Sequence, residues 1–364
     1  MPRLFQGCAP AILGPMVPVL GAVPNLSAGR DRALIERLVE SASRLGAEVL
    51  DASADPDHNR AVLTIIGPPA SVEDASVELA RIAVEEIDLS DHLGVHPRVG
   101  ALDVLPFVPL MGLTLEQARA SARRAGERIA NEVGVPVFFY AEASDPPGRG
   151  LSELRAGGFE KLVQGFPADR MPDLLPKHWD HAGAHPSAGV TCVGARPPLL
   201  AWNVEVDGLS EEQVRGLAVS LRERGGGVAG LRALGLRLPS KGRFQVSMNL
   251  EDVKSRKPFS VFEEIEDRVR SAGGSVVSTE VVGPLPDGLV FQAGADRLKL
   301  LDPDPSRILS SRLTAHVVRR AAQATGKLGS VVRGAGDRTP PEVREAVEQS
   351  ESCLRGFEPW NDTQ

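Results

Sequence analysis

Two stretches of the chain show the same order of hydrophobic patterns, in which short apolar runs alternate with segments of helical spacing. A short apolar run predicts a strand, and apolar residues that recur every three or four positions predict a helix. In the first stretch these segments are 17–23, 33–45, 47–52, 61–67, 71–87 and 99–108. Their types follow the order strand, helix, strand, strand, helix, strand. The first stretch therefore predicts a βαββαβ unit.

The first unit continues into a further helix and strand before a segment rich in Gly, Pro and His begins. Thr114 predicts the start of a helix over 114–132, because its hydroxyl can accept a hydrogen bond from the first turn. The apolar run 135–140 predicts the strand that follows.

The second stretch repeats the βαββαβ order after residue 189. Its predicted elements are a long apolar run at 190–206, a helix at 210–224, strands at 231–238 and 244–250, a helix at 258–272 and a strand at 275–283. Ser210 predicts the first of these helix starts, and Gly273 with Gly274 predicts the end of the second helix.

This order predicts an α+β fold of two split-βαβ (ferredoxin-like) subdomains, each a mixed sheet with helices on one face, followed by a C-terminal helical tail. The predicted boundaries are 17–194, 195–301 and 302–364. Within the tail, helices are predicted near 307–324 and 341–350, and little order is expected over 355–364. The cleft between the two subdomains is the expected site.

Charge and composition narrow the function classes. A formal charge of −7 argues against nucleic acid as a partner, and a single tyrosine argues against an RNA-binding sheet, which stacks bases on aromatic side chains. No run of 18 apolar residues predicts a membrane span. Three cysteines without a CxxC pair indicate no disulfide framework, so we expect a reducing cytoplasm. A sensing or structural module of the same fold stays open, because fold does not fix function.

Three segments carry candidate chemistry, and each has a structural alternative. At 23–31 a strand leads into a helix, where Asn25 or Ser27 could cap the helix or free N–H groups could meet an anion. His96 follows His92 in a loop that Gly94 and Pro97 keep from being helical, so it is either catalytic or structural. The tract 178–186 holds three histidines and could bind zinc or form a plain loop; our prediction is that no metal is bound.

Eight short motifs occur in one order along the chain. They are Val-Pro-Asn-x-Ser-x-Gly-Arg-Asp at 23–31, Asp-His-Asn-Arg at 57–60, Gly-Pro-Pro at 67–69, His-Pro-Arg-Val-Gly-Ala-Leu-Asp-Val at 96–104, Pro-Val-Phe-Phe-Tyr at 136–140, Arg-Ala-Gly-Gly-Phe-Glu at 155–160, Val-Gly-Ala-Arg-Pro-Pro-Leu at 193–199 and Gln-Val-Ser-Met-Asn-Leu at 245–250. Together they resemble the glutamate formimidoyltransferase family (formiminotransferase domain) over roughly residues 17–300.

The resemblance implies a homodimer that transfers the formimidoyl group of N-formimidoyl-L-glutamate to N5 of tetrahydrofolate in histidine breakdown. It implies that His96 is the general acid/base and that Arg98, Asn25 and Asn59 bind substrate. The family's folate-binding stretch falls on residues 180–189, where the matching positions are Pro186, Ser187 and Gly189. Tetrahydrofolate would then be a co-substrate, and small molecules the partners.

The chain departs from the family pattern at three positions, and each departure removes an acid. Ala28 replaces the glutamate of the Pro-Asn-x-Ser-Glu-Gly-Arg motif, Ser53 replaces a site aspartate, and Val95 replaces the glutamate before His-Pro-Arg. Carboxylates would normally stabilise a protonated amidine. The alternative is therefore a divergent paralogue that uses a different donor or acceptor, or that binds its ligand without catalysis.

Overall fold

The computed structural model describes residues 18–251 and 258–284 and the single residues 294, 330, 343 and 344. The chain divides into two compact units, one of residues 19–300 and one of residues 1–18 with 301–364. Nearly all described residues belong to the first unit. The predicted tail 302–364, with its helices near 307–324 and 341–350, lies outside the described residues apart from 330, 343 and 344, which are helical.

A seven-stranded mixed sheet forms the first half of this unit. Its strands are β1 (Val19–Ala22), β2 (Asn25–Leu26), β3 (Glu48–Asp55), β4 (Arg60–Gly67), β5 (Leu102–Met111), β6 (Val137–Ala141) and β7 (Thr191–Ala195). β3 pairs with β4, β1 and β2 both lie between β4 and β5, and the sheet continues through β7 to β6. β7 runs parallel to β5 and β6, whereas the other pairs are antiparallel.

Three helices pack on one face of this sheet, as predicted. They are α1 (Arg32–Arg44), α2 (Pro69–Glu86) and α3 (Leu115–Arg128), and a single π-helical turn (Ile129–Val133) extends α3. α1 buries Leu34, Leu38 and Ala42, the stripe that its spacing predicts. Its N-cap is Asp31, whose carboxylate accepts the Leu34 N–H at 2.9 Å, so the prediction of Asn25 or Ser27 as the cap is wrong.

The opposite face of the sheet is covered by the segment that joins β6 to β7. This segment contains two short helices, α4 (Leu151–Leu154) and α5 (Gly158–Leu162). Leu154 and Leu162 pack against Val104, Phe138 and Cys192, which form a cluster separate from the helix-side core. Because side chains alternate across a strand, the sheet is buried on both faces near β5, β6 and β7.

The second half is a four-stranded antiparallel sheet. Its elements in chain order are β8 (Leu200–Asp207), α6 (Glu211–Leu221), β9 (Leu231–Leu238), β10 (Arg243–Leu250), α7 (Pro258–Ser271) and β11 (Ser275–Val281), with a short 3₁₀ turn after α6. The strand order is β11, β8, β10, β9. The predicted βαββαβ order is confirmed here.

The apolar run 190–206, predicted as one continuous stretch, is divided between the two sheets. β7 ends at Ala195 in the first sheet and β8 begins at Leu200 in the second. Pro197 and Pro198 lie between them. Proline has no N–H to donate to a strand ladder, so a continuous strand is interrupted at this point. No helix among the described residues is long and apolar enough to cross a membrane.

Replacing Thr114 with alanine is expected to lower the free energy of unfolding by about 1 kcal/mol. Its hydroxyl accepts the Gln117 N–H at 3.2 Å, and the Gln117 side chain accepts the Thr114 N–H at 2.8 Å, which completes a capping box. Urea unfolding of Thr114→Ala would measure the loss. Thr114→Ser is the control, since it keeps the hydroxyl, and an equal loss in both variants would contradict the capping argument.

Candidate functional site

The loop that carries His96 connects α2 to β5 and is held by the turn between β3 and β4. The Val95 N–H donates to the carbonyl of Asp57 at 3.1 Å. A Cβ on Gly94 would overlap the carbonyl oxygen of His58, so the two segments approach as closely as only glycine allows. The position of His96 therefore depends on a turn almost forty residues earlier in the chain.

Asn59 joins three segments around this loop. Its side chain accepts the Gly29 N–H at 3.0 Å and donates to the Leu93 carbonyl at 3.2 Å, while its own carbonyl lies 2.9 Å from His92 Nε2. Its φ of 47° lies in the left-handed region, where asparagine is the most tolerated residue after glycine. The structure thus gives Asn59, predicted to bind substrate, a clear role in building the site.

A buried carboxylate, Asp103, lies beneath the loop at the start of β5. Its Oδ2 accepts Arg60 at 2.8 Å and also accepts Arg155, while its Oδ1 accepts the Val99 N–H at 2.8 Å. Burial alone would raise the pKa of Asp103, but the charges of Arg155 and Arg60 and these hydrogen bonds lower it to about 2. Asp103 is therefore ionised, and it fixes two guanidinium groups beside the His96 loop.

Asn25 is part of the same network. Its Oδ1 accepts the Arg60 guanidinium at 2.9 and 3.2 Å, and its Nδ2 donates to the Val23 carbonyl at 2.7 Å. The neighbouring Ser27 donates to the Gly100 carbonyl at 2.8 Å. Both residues therefore hold the strand-to-helix junction against β4 and the His96 loop, which explains why neither caps α1.

His96 is half-buried, and its ring is oriented by the backbone. Its Nδ1 lies 2.9 Å from the carbonyl of Pro97, and because a carbonyl only accepts, Nδ1 carries the proton and Nε2 keeps its lone pair. Loss of solvation, followed by the charges of Arg60 and Arg155, holds the pKa of His96 well below 6.5. At neutral pH His96 is a free base, ready to accept a proton.

Arg98 is directed away from this base. Its guanidinium donates to Glu160 at 2.9 Å and to the carbonyls of His92 at 2.9 Å and Leu89 at 3.4 Å. Its charge also lies over the ring of Phe159, 5.9 Å from the centroid. In this structure Arg98 ties the His96 loop to α5, and its predicted contact with substrate would require it to exchange one of these partners.

The predicted folate-binding loop lies against the segment that follows His96. The Val190 N–H donates to Val99 at 2.9 Å, and the Ala101 N–H donates to Ala188 at 2.8 Å. Gly189 has a φ of 72°, and a Cβ there would overlap the carbonyl oxygen of Val99. The structure therefore brings 185–190 and the stretch after His96 into backbone contact.

Within that loop, the three predicted positions differ in what they present. Pro186 is exposed, whereas Ser187 is half-buried with its N–H 3.4 Å from His185 Nδ1. Gly189 pairs through its backbone with His185 in both directions, at 3.0 and 2.9 Å. These bonds close a tight turn whose outer side is open at Pro186.

The three positions that lack the family's acids lie around the same junction. Ala28 is 6% exposed, Ser53 donates to the Val62 carbonyl at 3.4 Å, and Val95 is held by Asp57. Asp51, on the same face of β3 as Ser53, has one carboxylate oxygen that is buried and without a hydrogen bond among the described residues. Near His96, the guanidiniums of Arg60 and Arg155 both pair with the buried carboxylate of Asp103.

Sequence reasoning gave no role to Arg60, Asp103 or Arg155, which surround His96. All three lie inside the quoted motifs, and Asp103 also stands in an apolar strand run. A carboxylate in a buried strand requires charged or hydrogen-bonding partners. The position of Asp103 in an apolar run therefore indicates that cationic side chains lie next to it. Across the described residues no group of three or more His, Cys, Asp or Glu side chains could hold a metal ion, and this includes the described tract 178–186.

Comparison with known proteins identifies the family of this chain. The N-terminal subdomain of the formiminotransferase domain matches residues 19–196, and a second formiminotransferase domain profile matches residues 201–299. The glutamate formimidoyltransferase of Streptococcus pyogenes is 36% identical over 291 residues, which cover 79% of this chain and 96% of that protein.

Two further relatives extend the comparison. The glutamate formimidoyltransferase of Thermoplasma acidophilum is 32% identical, over 80% of this chain and 96% of that protein. The formimidoyltransferase-cyclodeaminase of Mus musculus is 34% identical over 82% of this chain, but the match spans only 57% of that longer protein. With both subdomains matched and whole-length relatives above 30% identity, the chain belongs to the formiminotransferase family of transferase enzymes.

Proposed function

We propose that this protein transfers the formimidoyl group of N-formimidoyl-L-glutamate to N5 of tetrahydrofolate, with His96 as the general acid/base. The observation that carries the proposal is the state of His96, a neutral imidazole whose Nδ1 donates to the Pro97 carbonyl and whose Nε2 has no hydrogen-bond partner among the described residues. The names of the relatives support formimidoyl transfer. The folate and the residue roles are the part that we propose.

The reaction needs one proton to move from one nitrogen to another. N5 attacks the formimidoyl carbon, a C–N bond forms, and the electrons of the C=N bond move to its nitrogen. His96 Nε2 then removes the proton from N5 and delivers it to the glutamate nitrogen. The electron pair on the formimidoyl nitrogen re-forms the C=N bond as the bond from carbon to the glutamate nitrogen breaks. Because the charges of Arg60 and Arg155 disfavour an imidazolium at His96, the protonated form releases its proton readily.

A donor other than formimidoylglutamate is the second candidate, and one observation favours it. Ala28, Ser53 and Val95 remove three acids of the family pattern from the junction, and the two guanidiniums of Arg60 and Arg155 outnumber the one carboxylate, Asp103, that pairs with both. A cation is disfavoured in such surroundings, and a neutral or anionic group is not.

Calorimetric titration followed by product assay tests the proposal. Purified protein is titrated with tetrahydrofolate, alone and then with N-formimidoyl-L-glutamate, and the mixture is assayed for 5-formimidoyltetrahydrofolate. We expect both to bind and product to form. Binding of the folate without product would instead support the altered donor or a ligand-binding role without catalysis.

A further inference from the structure

A second imidazole, His58, lies beside His96. The two ring centroids are 5.8 Å apart with the planes tilted by 56°. His58 is only 7% exposed, and its Nε2 is buried without a hydrogen-bond partner among the residues that the structure describes. Buried nitrogens are almost always bonded, so an unpartnered one beside a base suggests a partner that is present only during the reaction.

The other side of His58 faces a carboxylate. Its Nδ1 lies 3.9 Å from Asp55 Oδ2. Asp55 is held in place because its Oδ1 accepts the N–H groups of Asp57 and His58, both at 2.8 Å. Positive charge on His58 would therefore face a fixed negative charge, whereas positive charge on His96 faces two guanidiniums.

We propose that His58 is a positioning residue that acts through His96: it takes the proton that His96 has removed from the attacking nitrogen, holds it beside Asp55, and returns it through His96 to the departing glutamate nitrogen. This inference rests on the proposed function. One proton passes from His96 Nε2 to His58 Nε2 and back, so charge and atoms balance. The two rings lie in contact, 5.8 Å between centroids, but without a hydrogen bond in this structure, so transfer requires the rings to reorient and approach each other.

The charge on this pair depends on groups from several elements. They are Asp55 of β3, Arg60 of β4, Asp103 of β5, Arg155 after α4, and Lys241 of the turn between β9 and β10, whose charge interacts with Asp55. Two positive groups and one negative group, Asp103, act on His96, whereas the near neighbour of His58 is negative. A proton held by His58 would therefore lie beside a carboxylate.

The test compares His58→Gln with His92→Gln, which removes another buried histidine in the same region that makes no ring contact with His96. His58→Gln is expected to lower kcat at least about tenfold with little change in KM. A plot of rate against the fraction of D₂O should be curved for the wild type, because more than one proton moves in the rate-limiting step. The same plot should be linear for His58→Gln. His92→Gln should keep the curved plot. Equal losses in both variants, with curved plots in both, would overturn the proposal.

A second measurement needs no substrate. NMR titration of the His96 ring should give a different midpoint in His58→Gln than in the wild type, because the variant removes the imidazole that lies in ring contact with it. If formimidoyl transfer fails in the wild type but this shift of the His96 midpoint is seen, the imidazole pair stands and the proposed function does not. An unchanged His96 titration in His58→Gln would rule out the pair.

Discussion

Replacing His96 with alanine is expected to lower kcat by about 10²–10⁴-fold, the usual contribution of a positioned acid/base. The change removes Nε2, the nitrogen that carries the lone pair. The hydrogen bond from Nδ1 to the Pro97 carbonyl fixes the orientation of that nitrogen. Steady-state kinetics at saturating donor and folate would measure it.

The wild-type rate should hold from neutral pH down to below pH 6.5 before it falls, since the pKa of His96 lies well below that value.

His178→Asn is a suitable control for this variant. His178 is exposed and has a φ of 62°, a conformation that asparagine tolerates. We expect it to keep the wild-type rate. If His96→Ala kept the full transfer rate in a folded and otherwise active preparation, another group would have to move the proton.

Replacing Asp103 with asparagine should lower the free energy of unfolding by about 3–5 kcal/mol, because it leaves the guanidiniums of Arg60 and Arg155 beside a neutral side chain. Urea unfolding at pH 7 would measure this. The control is Asp74→Asn, which breaks an exposed ion pair with Arg128 and should change stability by at most about 1 kcal/mol. Similar losses in both variants would contradict a special role for the buried carboxylate.

The pH dependence of this second effect follows from the lowered pKa of Asp103, about 2. An aspartate in the unfolded chain has a pKa of about 3.9, so the ionised form contributes its full stabilisation above roughly pH 4. That stabilisation is lost as the pH falls towards 2. The difference between wild type and Asp103→Asn should therefore be largest near neutral pH and should shrink as the solution is acidified.

Much of the fold follows from spacing alone, and the exceptions have identifiable causes. The second sheet and its two helices match the periodic pattern because β8, β9 and β10 bury apolar side chains against α6 and α7, with Val276 and Val281 of β11 packed at the edge. The apolar run 190–206 continues through both β7 and β8. Only Pro197 and Pro198 indicate in the sequence that β7 belongs to the first sheet and β8 to the second. Several side chains near the start of α1 could cap the helix. Asn25 and Ser27 do not cap it because Asn25 accepts a hydrogen bond from Arg60 and Ser27 donates one to the Gly100 carbonyl.

The site could be predicted only in part. His96 was indicated by its motif, but its surroundings come from residues far away in the chain: Arg60 and Arg155 reach Asp103 across separations of 43 and 52 positions. No local pattern specifies such pairings. His58 illustrates the same limit, since a turn between two strands gives no sign that its ring will lie beside His96.

Asp57 has a position that bears on whether the two halves of the protein can be separated. Its carbonyl accepts the Val95 N–H at 3.1 Å, next to His96, and its carboxylate accepts both the Ser240 hydroxyl and, at 3.1 Å, the Ser240 N–H from the turn between β9 and β10. One residue therefore links the loop of the base to the second sheet. A fragment that ends at residue 196 would retain all seven strands of the first sheet but would lose the hydrogen bonds between Asp57 and Ser240. Such a fragment could therefore fold on its own without being active on its own.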